Sequence, residues 1–185
     1  MNYIESLDEL LVTLKKCDPS DYVQIAKNLR IPPSDFQKYA QWKEDSYARN
    51  CIDRTETFEL ILICWKEGDC TPIHNHADQR CWVYQIEGSN TEIRYKHGAN
   101  NELEECNRIE LKPGTLTYME DNMGCHLLKN CTETTSMTLH LYISPIDSCE
   151  VFCDDTASFK SVDLTYDSFQ GECLSQAIPK EELVN

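Results

Sequence analysis

No run of 18 or more apolar residues occurs in this 185-residue sequence, which therefore offers no membrane-spanning helix. The N-terminus, MNYIESLDEL, lacks a basic region followed by an apolar stretch, and no signal peptide is read from it. Positive charge is scarce. Seventeen lysines and arginines stand against 32 acidic residues, and the net charge of -15 disfavours nucleic acid and anionic membrane as partners. A small anionic substrate would need local positive charge from a specific Arg or Lys. No Gly-rich dinucleotide fingerprint, internal repeat, low-complexity tract or linker is present. Cysteine, by contrast, is plentiful. Eleven occur, an odd number at irregular spacing with no CxxC pair, which predicts a reducing, cytoplasmic setting with mostly free thiols. Cys17, Cys51, Cys106 and Cys173 read as small buried hydrophobes or incidental surface thiols.

The length suits one domain with a sizeable core. Residues 1–45 read as a helical segment, 46–170 as a barrel on which it packs, and 175–185 as an acidic mobile tail. A Leu7, Leu10/Leu11, Leu14 stripe predicts a first helix. Tyr22, Ile25, Ala26 and Leu29 predict a second, with Asp21 as N-cap and Pro32-Pro33 as its stop. Ser34 and Gln37 have the spacing of a capping box opening a short third. From Arg49 onward the pattern is β. Strands are predicted at Phe58–Trp65, Cys81–Ile86, Thr91–Tyr95, Leu116–Met119, Cys125–Lys129 and Ser136–Ile143, separated by the turn signals EGD, EGSN, HGANNE, PG and DNMG. Many short strands at this spacing predict a mainly β architecture, an antiparallel barrel or jelly roll with short N-terminal helices.

The histidines carry the chemistry. His74 and His76 are two residues apart in an extended segment, so both can face one metal ion. His126 follows the turn DNMG, and His140 lies in the strand SMTLHLY; His97 sits in a loop and is assigned no role. A lone strand histidine is more often a satisfied core or surface residue than a ligand. The pattern around the pair raises its standing. Gly68, His74, His76 and Gly88, then Pro113-Gly114, Gly124-Cys125-His126 and Asn130, resemble the two motifs of the cupin superfamily, a small β-barrel. Where most cupins place a glutamate ligand, this chain has Cys81. Tyr47-Ala-Arg49-Asn50, Cys64-Trp65, Cys81, His140-Leu-Tyr142 and Ser144-Pro145 narrow the resemblance to the cysteine dioxygenase family.

That resemblance implies a non-heme Fe(II) centre held by His74, His76 and His126, with open positions for substrate and O2 because no carboxylate closes the sphere. It implies oxidation of L-cysteine to cysteine sulfinic acid by a monomer, with Arg49 binding the substrate carboxylate and Tyr47 adding a hydroxyl nearby. It also implies a thioether crosslink between Cys81 and Tyr142, and a place for Cys149 near the pocket mouth. Strand alternation puts Thr138, His140 and Tyr142 on one face, opposite Leu139 and Leu141. Buried polar groups in such a row need hydrogen bonds, so His140 is expected to orient the Tyr142 phenol towards the substrate. Two departures stand out. Ile143 separates Tyr142 from Ser144-Pro145, and Arg80 precedes Cys81. Two alternatives remain: another small thiol such as 3-mercaptopropionate, disfavoured by Arg49 and Cys81, and a non-catalytic metal-binding cupin. In the latter a distant carboxylate, Asp78 or Glu120, would complete the sphere.

Overall fold

The computed structural model describes residues 2–98 and 102–175. It is mainly β, as the sequence predicts. Among the described residues twelve strands run β1 (Ala48–Arg54), β2 (Phe58–Trp65), β3 (Cys81–Glu87), β4 (Asn90–His97), β5 (Leu103–Leu111), β6 (Leu116–Met119), β7 (Cys125–Lys129), β8 (Ser136–Ile143), β9 (Ser148–Cys153), β10 (Ser158–Asp163), β11 (Ser168–Phe169) and β12 (Glu172–Cys173). One wall is a seven-stranded sheet in the order β12-β11-β1-β2-β8-β3-β6. The facing wall holds β5-β4-β7 and the pair β10-β9. Residues 70–75 stitch these together. Cys70 and His74 bridge to Lys129 and His126 of β7, and His74 also bridges to Val151 of β9.

The apolar run FELILICW is explained by burial on both sides. Leu60, Leu62 and Cys64 of β2 join a core layer under the N-terminal helices, while Ile61, Ile63 and Trp65 join a second core inside the barrel. Strand β8 divides the same way: Met137, Leu139 and Leu141 pack outward, and Tyr142 faces in. Each such aliphatic side chain, fully buried, contributes about 1.5–3 kcal/mol.

The N-terminal segment is less helical than its sequence stripes predict. Helix α1 spans Leu7–Leu14 and is capped by Ser6, whose side chain accepts from the Glu9 N–H. Helix α2 spans Tyr22–Lys27, but Asp21 makes no side-chain cap. The reason lies upstream: Asp18 caps a 3-10 turn, Pro19–Asp21, that runs directly into α2, so Asp21 already has helical dihedrals. Pro33–Tyr39 forms a 3-10 helix without a side-chain cap, not the expected capping-box helix. At the other end the β structure continues past residue 170, because β12 pairs with β11 up to Cys173. The predicted tail lies, beyond residue 175, outside the described residues, as do positions 99–101 of the HGANNE signal. No helix among the described residues is long and apolar enough to cross a membrane.

Candidate metal centre and its pocket

Two segments bring three histidines together. His74 and His126 exchange backbone hydrogen bonds, His74 N–H to His126 O at 2.9 Å and His126 N–H to His74 O at 3.0 Å, so strand pairing itself sets their separation. After His76 the chain reverses through Ala77 and Asp78, both left-handed (φ 48° and 63°), closed by Gln79 N–H to His76 O at 2.9 Å. That tight turn returns the chain to β3 and fixes His76 beside its partners. The imidazole centroids of His74, His76 and His126 lie 4.7–5.3 Å apart. One ring nitrogen from each falls within 4.8 Å of the others, a spacing that suits a shared ion. Among the described residues no carboxylate joins this group. Glu120 is engaged elsewhere, accepting from Tyr118 and Asn122, and Asp78 is exposed.

The donor set fits a metal on its own chemistry. Burial pushes His74 down to about 3, with His126 adding to the effect, and burial likewise holds His76 well below the usual imidazole range. Both are therefore neutral and ready to donate a lone pair at neutral pH. His74 Nδ1 lies 3.0 Å from the Pro72 carbonyl oxygen, leaving Nε2 for the ion. His126 Nδ1 lies 2.8 Å from Glu92 Oε1, and its Nε2 is a buried atom with no hydrogen-bond partner. Glu92 remains charged: although burial opposes ionisation, bonds from His126, Arg94 and Thr117 hold it below the usual carboxylate range.

A cavity of about 100 Å³ adjoins the histidines, lined by Tyr47, Arg49, His74, His76, His140, Tyr142 and Cys149 with apolar residues including Ile63, Ile146, Val151 and Leu164. It is smaller than the ~150 Å³ engineered cavity that accepts benzene, a size that suits a small ligand. Arg49 is anchored at two points, its N–H to Asp167 (2.8 Å) and its Nε to the Thr165 carbonyl (3.2 Å). Its Nη2 is buried without a hydrogen-bond partner, an arrangement that suits an anionic ligand group. Tyr47 packs against Trp65, ring centroids 5.1 Å apart, and burial raises its phenol. Burial also holds the Tyr142 phenol well above its ordinary value, with the nearby Cys81 thiol adding to this and Arg49 opposing it.

Cys81 and Tyr142 are direct cross-strand partners in the β3–β8 pair, and both are buried. Directly opposite residues have Cβ atoms ~4.5–5.5 Å apart, within reach of each other's side chains. The row on β8 is tied differently from expectation. Trp65 Nε1 donates to Thr138 Oγ1 at 2.8 Å, and Thr138 Oγ1 meets His140 Nε2 at 2.9 Å. His140 reaches Tyr142 by stacking (6.3 Å, 21°) rather than by a hydrogen bond, because residues two apart on a strand project in parallel. Burial, with Arg49 nearby, keeps His140 neutral.

Several contributors escaped the sequence reading. Glu92 and Arg94 carried one signal, an acid and a base two apart in a predicted strand. Glu59 gave none: inside an apolar run, it accepts from Arg54 Nη1 (3.2 Å), the Tyr166 hydroxyl and the Ile146 N–H (2.9 Å), fixing Ile146 in the cavity wall. Val151 and Leu164 lie in segments to which no strand had been assigned.

The family model for cysteine dioxygenase type I matches residues 3–155. Cysteine dioxygenase type 1 of Danio rerio is 28% identical over 179 residues, covering 91% of this chain and 89% of that protein. Cysteine dioxygenase type 1 of Rattus norvegicus is 29% identical over 140 residues, covering 74% and 70% respectively. Among solved structures, an RmlC-like cupin protein from Desulfovibrio desulfuricans aligns with a TM-score of 0.45 and 15% identity, over 58% of this chain and 91% of that one.

Proposed function

The chain belongs to the cysteine dioxygenase type I family, and from that premise we propose that it is a non-heme iron enzyme adding both atoms of O2 to the sulfur of free L-cysteine. The observation that carries this reading is the meeting of three imidazoles beside one small cavity with the buried, unpartnered Arg49 Nη2 in its wall. Imidazole donors without a carboxylate suit Fe(II) with positions left open, whereas a structural zinc site is closed by a fourth protein ligand. Iron held there supplies what no side chain here has, uptake of the thiol as thiolate and activation of dioxygen.

The protein's own groups do the rest. Arg49 binds the substrate carboxylate by charge-assisted hydrogen bonds and so aims the thiol end at the histidines. Tyr142, its phenol held protonated by burial, keeps its Oη proton and donates a hydrogen bond towards the reacting sulfur and oxygen. Thr138 and Trp65 hold His140 in place behind Tyr142. Ile146, Val151 and Leu164 exclude water from the site. Thiol plus O2 gives sulfinic acid with two new S–O bonds, so the reaction balances without an external reductant.

The test is the product. Purified iron-loaded protein given cysteine under air is expected to yield cysteine sulfinic acid with one O2 consumed per molecule formed. Faster turnover of 3-mercaptopropionate overturns the choice of substrate. Stoichiometric metal binding with no oxygen uptake on either thiol identifies a binding module instead.

A further inference from the structure

The carboxylate missing from the ligand set stands directly behind one of the ligands. Cys81 occupies the position where the resembled cupin motif has glutamate, so the three donors are all imidazoles. On β4, however, Glu92 is fully buried, and its Oε1 lies 2.8 Å from His126 Nδ1. The carboxylate is pinned from its other sides. Arg94 approaches both oxygens (Nε 3.1 Å, Nη2 3.2 Å), and the Thr117 hydroxyl donates to Oε2 at 2.6 Å. Arg94 is itself tied to β6 through the Tyr118 carbonyl at 2.9 Å. Glu92 thus cannot easily turn away from His126, whose opposite nitrogen, Nε2, is buried and bare. An imidazole flanked by a carboxylate on one nitrogen and nothing on the other is arranged to receive a cation.

We propose that Glu92 is a positioning residue for the metal, acting through His126. It keeps the imidazole proton on Nδ1, so that Nε2 presents its lone pair, and it lends a site built of imidazoles part of a negative charge. The inference rests on the metal-site reading above and names a determinant of metal affinity that this reading does not contain.

Co(II), which is stable in air, is the probe. Its affinity is measured by chelator competition for the full-length wild-type chain, Glu92→Gln, His126→Ala and the double variant. Glutamine keeps the size and one acceptor oxygen but removes the charge. Wild type is expected to bind one Co(II), and Glu92→Gln to bind it about 10–100-fold more weakly. In the His126→Ala background the same change should have almost no further effect, because nothing remains for it to act through. Equal affinity of wild type and Glu92→Gln overturns the proposal, as does an undiminished penalty without His126. If the glutamine variant does not fold, ¹⁵N spectra of the Zn(II)-loaded wild type decide. A proton on His126 Nδ1 with Nε2 ligated supports the role, and ligation through Nδ1 overturns it. Failure of the wild type to bind any Co(II) overturns the metal-site reading itself, so the two failures are distinguishable.

Discussion

At the residue scale the sharpest expectations attach to Arg49, Cys81 and Tyr142. A guanidinium nitrogen held in a cavity wall without a partner has most to gain from a carboxylate. Arg49→Gln should therefore lower kcat/KM for cysteine by about 30–1,000-fold (~2–4 kcal/mol), chiefly through KM, in steady-state oxygen uptake. An unchanged value removes Arg49 from the substrate site. The cross-strand pairing of Cys81 with Tyr142 gives the thioether proposal a mass signature. Protein that has turned over in air should weigh about two hydrogens less than its sequence requires. Cys81→Ser should abolish that deficit. Active enzyme of unmodified mass would dismiss the crosslink. These residues, remote from one another in sequence, were legible as a constellation because the resemblance to the cysteine dioxygenase family implied their roles. Glu59 was not, since a charged residue inside FELILICW reads as an interruption until its partners Arg54, Tyr166 and Ile146, remote in sequence, are seen around it.

At the element scale, β7 and β8 set the site. Gly124, which leads into β7 and His126, has φ +106°, and a Cβ there would sit 2.2 Å from the Tyr95 carbonyl oxygen. Gly124→Ala should destabilise the protein by about 1–3 kcal/mol and displace β7, weakening metal binding. A shifted urea midpoint at constant slope would register the first effect and Co(II) titration the second. On β8, Thr138→Val would strand the Trp65 indole N–H and His140 Nε2 together, a loss of about 1–3 kcal/mol with a lower kcat. A variant with unchanged stability and rate would show the network to be idle. The predicted strands match β2, β3, β4, β6, β7 and β8 closely, because alternation and turn residues bound them. Strands β1, β5, β9, β10, β11 and β12 went unread. Leu103–Leu111 is largely exposed and polar, while β9 is held by pairing with β10 and with residues 73–75, partners no local pattern reveals.

At the scale of the whole molecule, the buried histidines couple folding to pH. Held neutral in the fold, His140 and His74 regain an ordinary value near 6.5 when unfolded. Below that value the unfolded chain binds more protons, so stability is fully present above about pH 6.5 and drains away as pH falls. For His74 the loss continues to about pH 3. The metal-free protein should thus show a midpoint temperature that begins to drop near pH 6.5, before carboxylates titrate. A flat profile between pH 6.5 and 5 would contradict the burial of these rings. The cavity of about 100 Å³ reaches furthest beyond the protein itself. On the proposed reading it would work as a gauge of molecular bulk. Cysteine locked into a peptide or tripeptide conjugate would be turned away at the door, whatever its thiol could do once inside. The catalyst would therefore read only the unconjugated pool of the amino acid, and its throughput would follow the size of that pool rather than the total thiol of its surroundings.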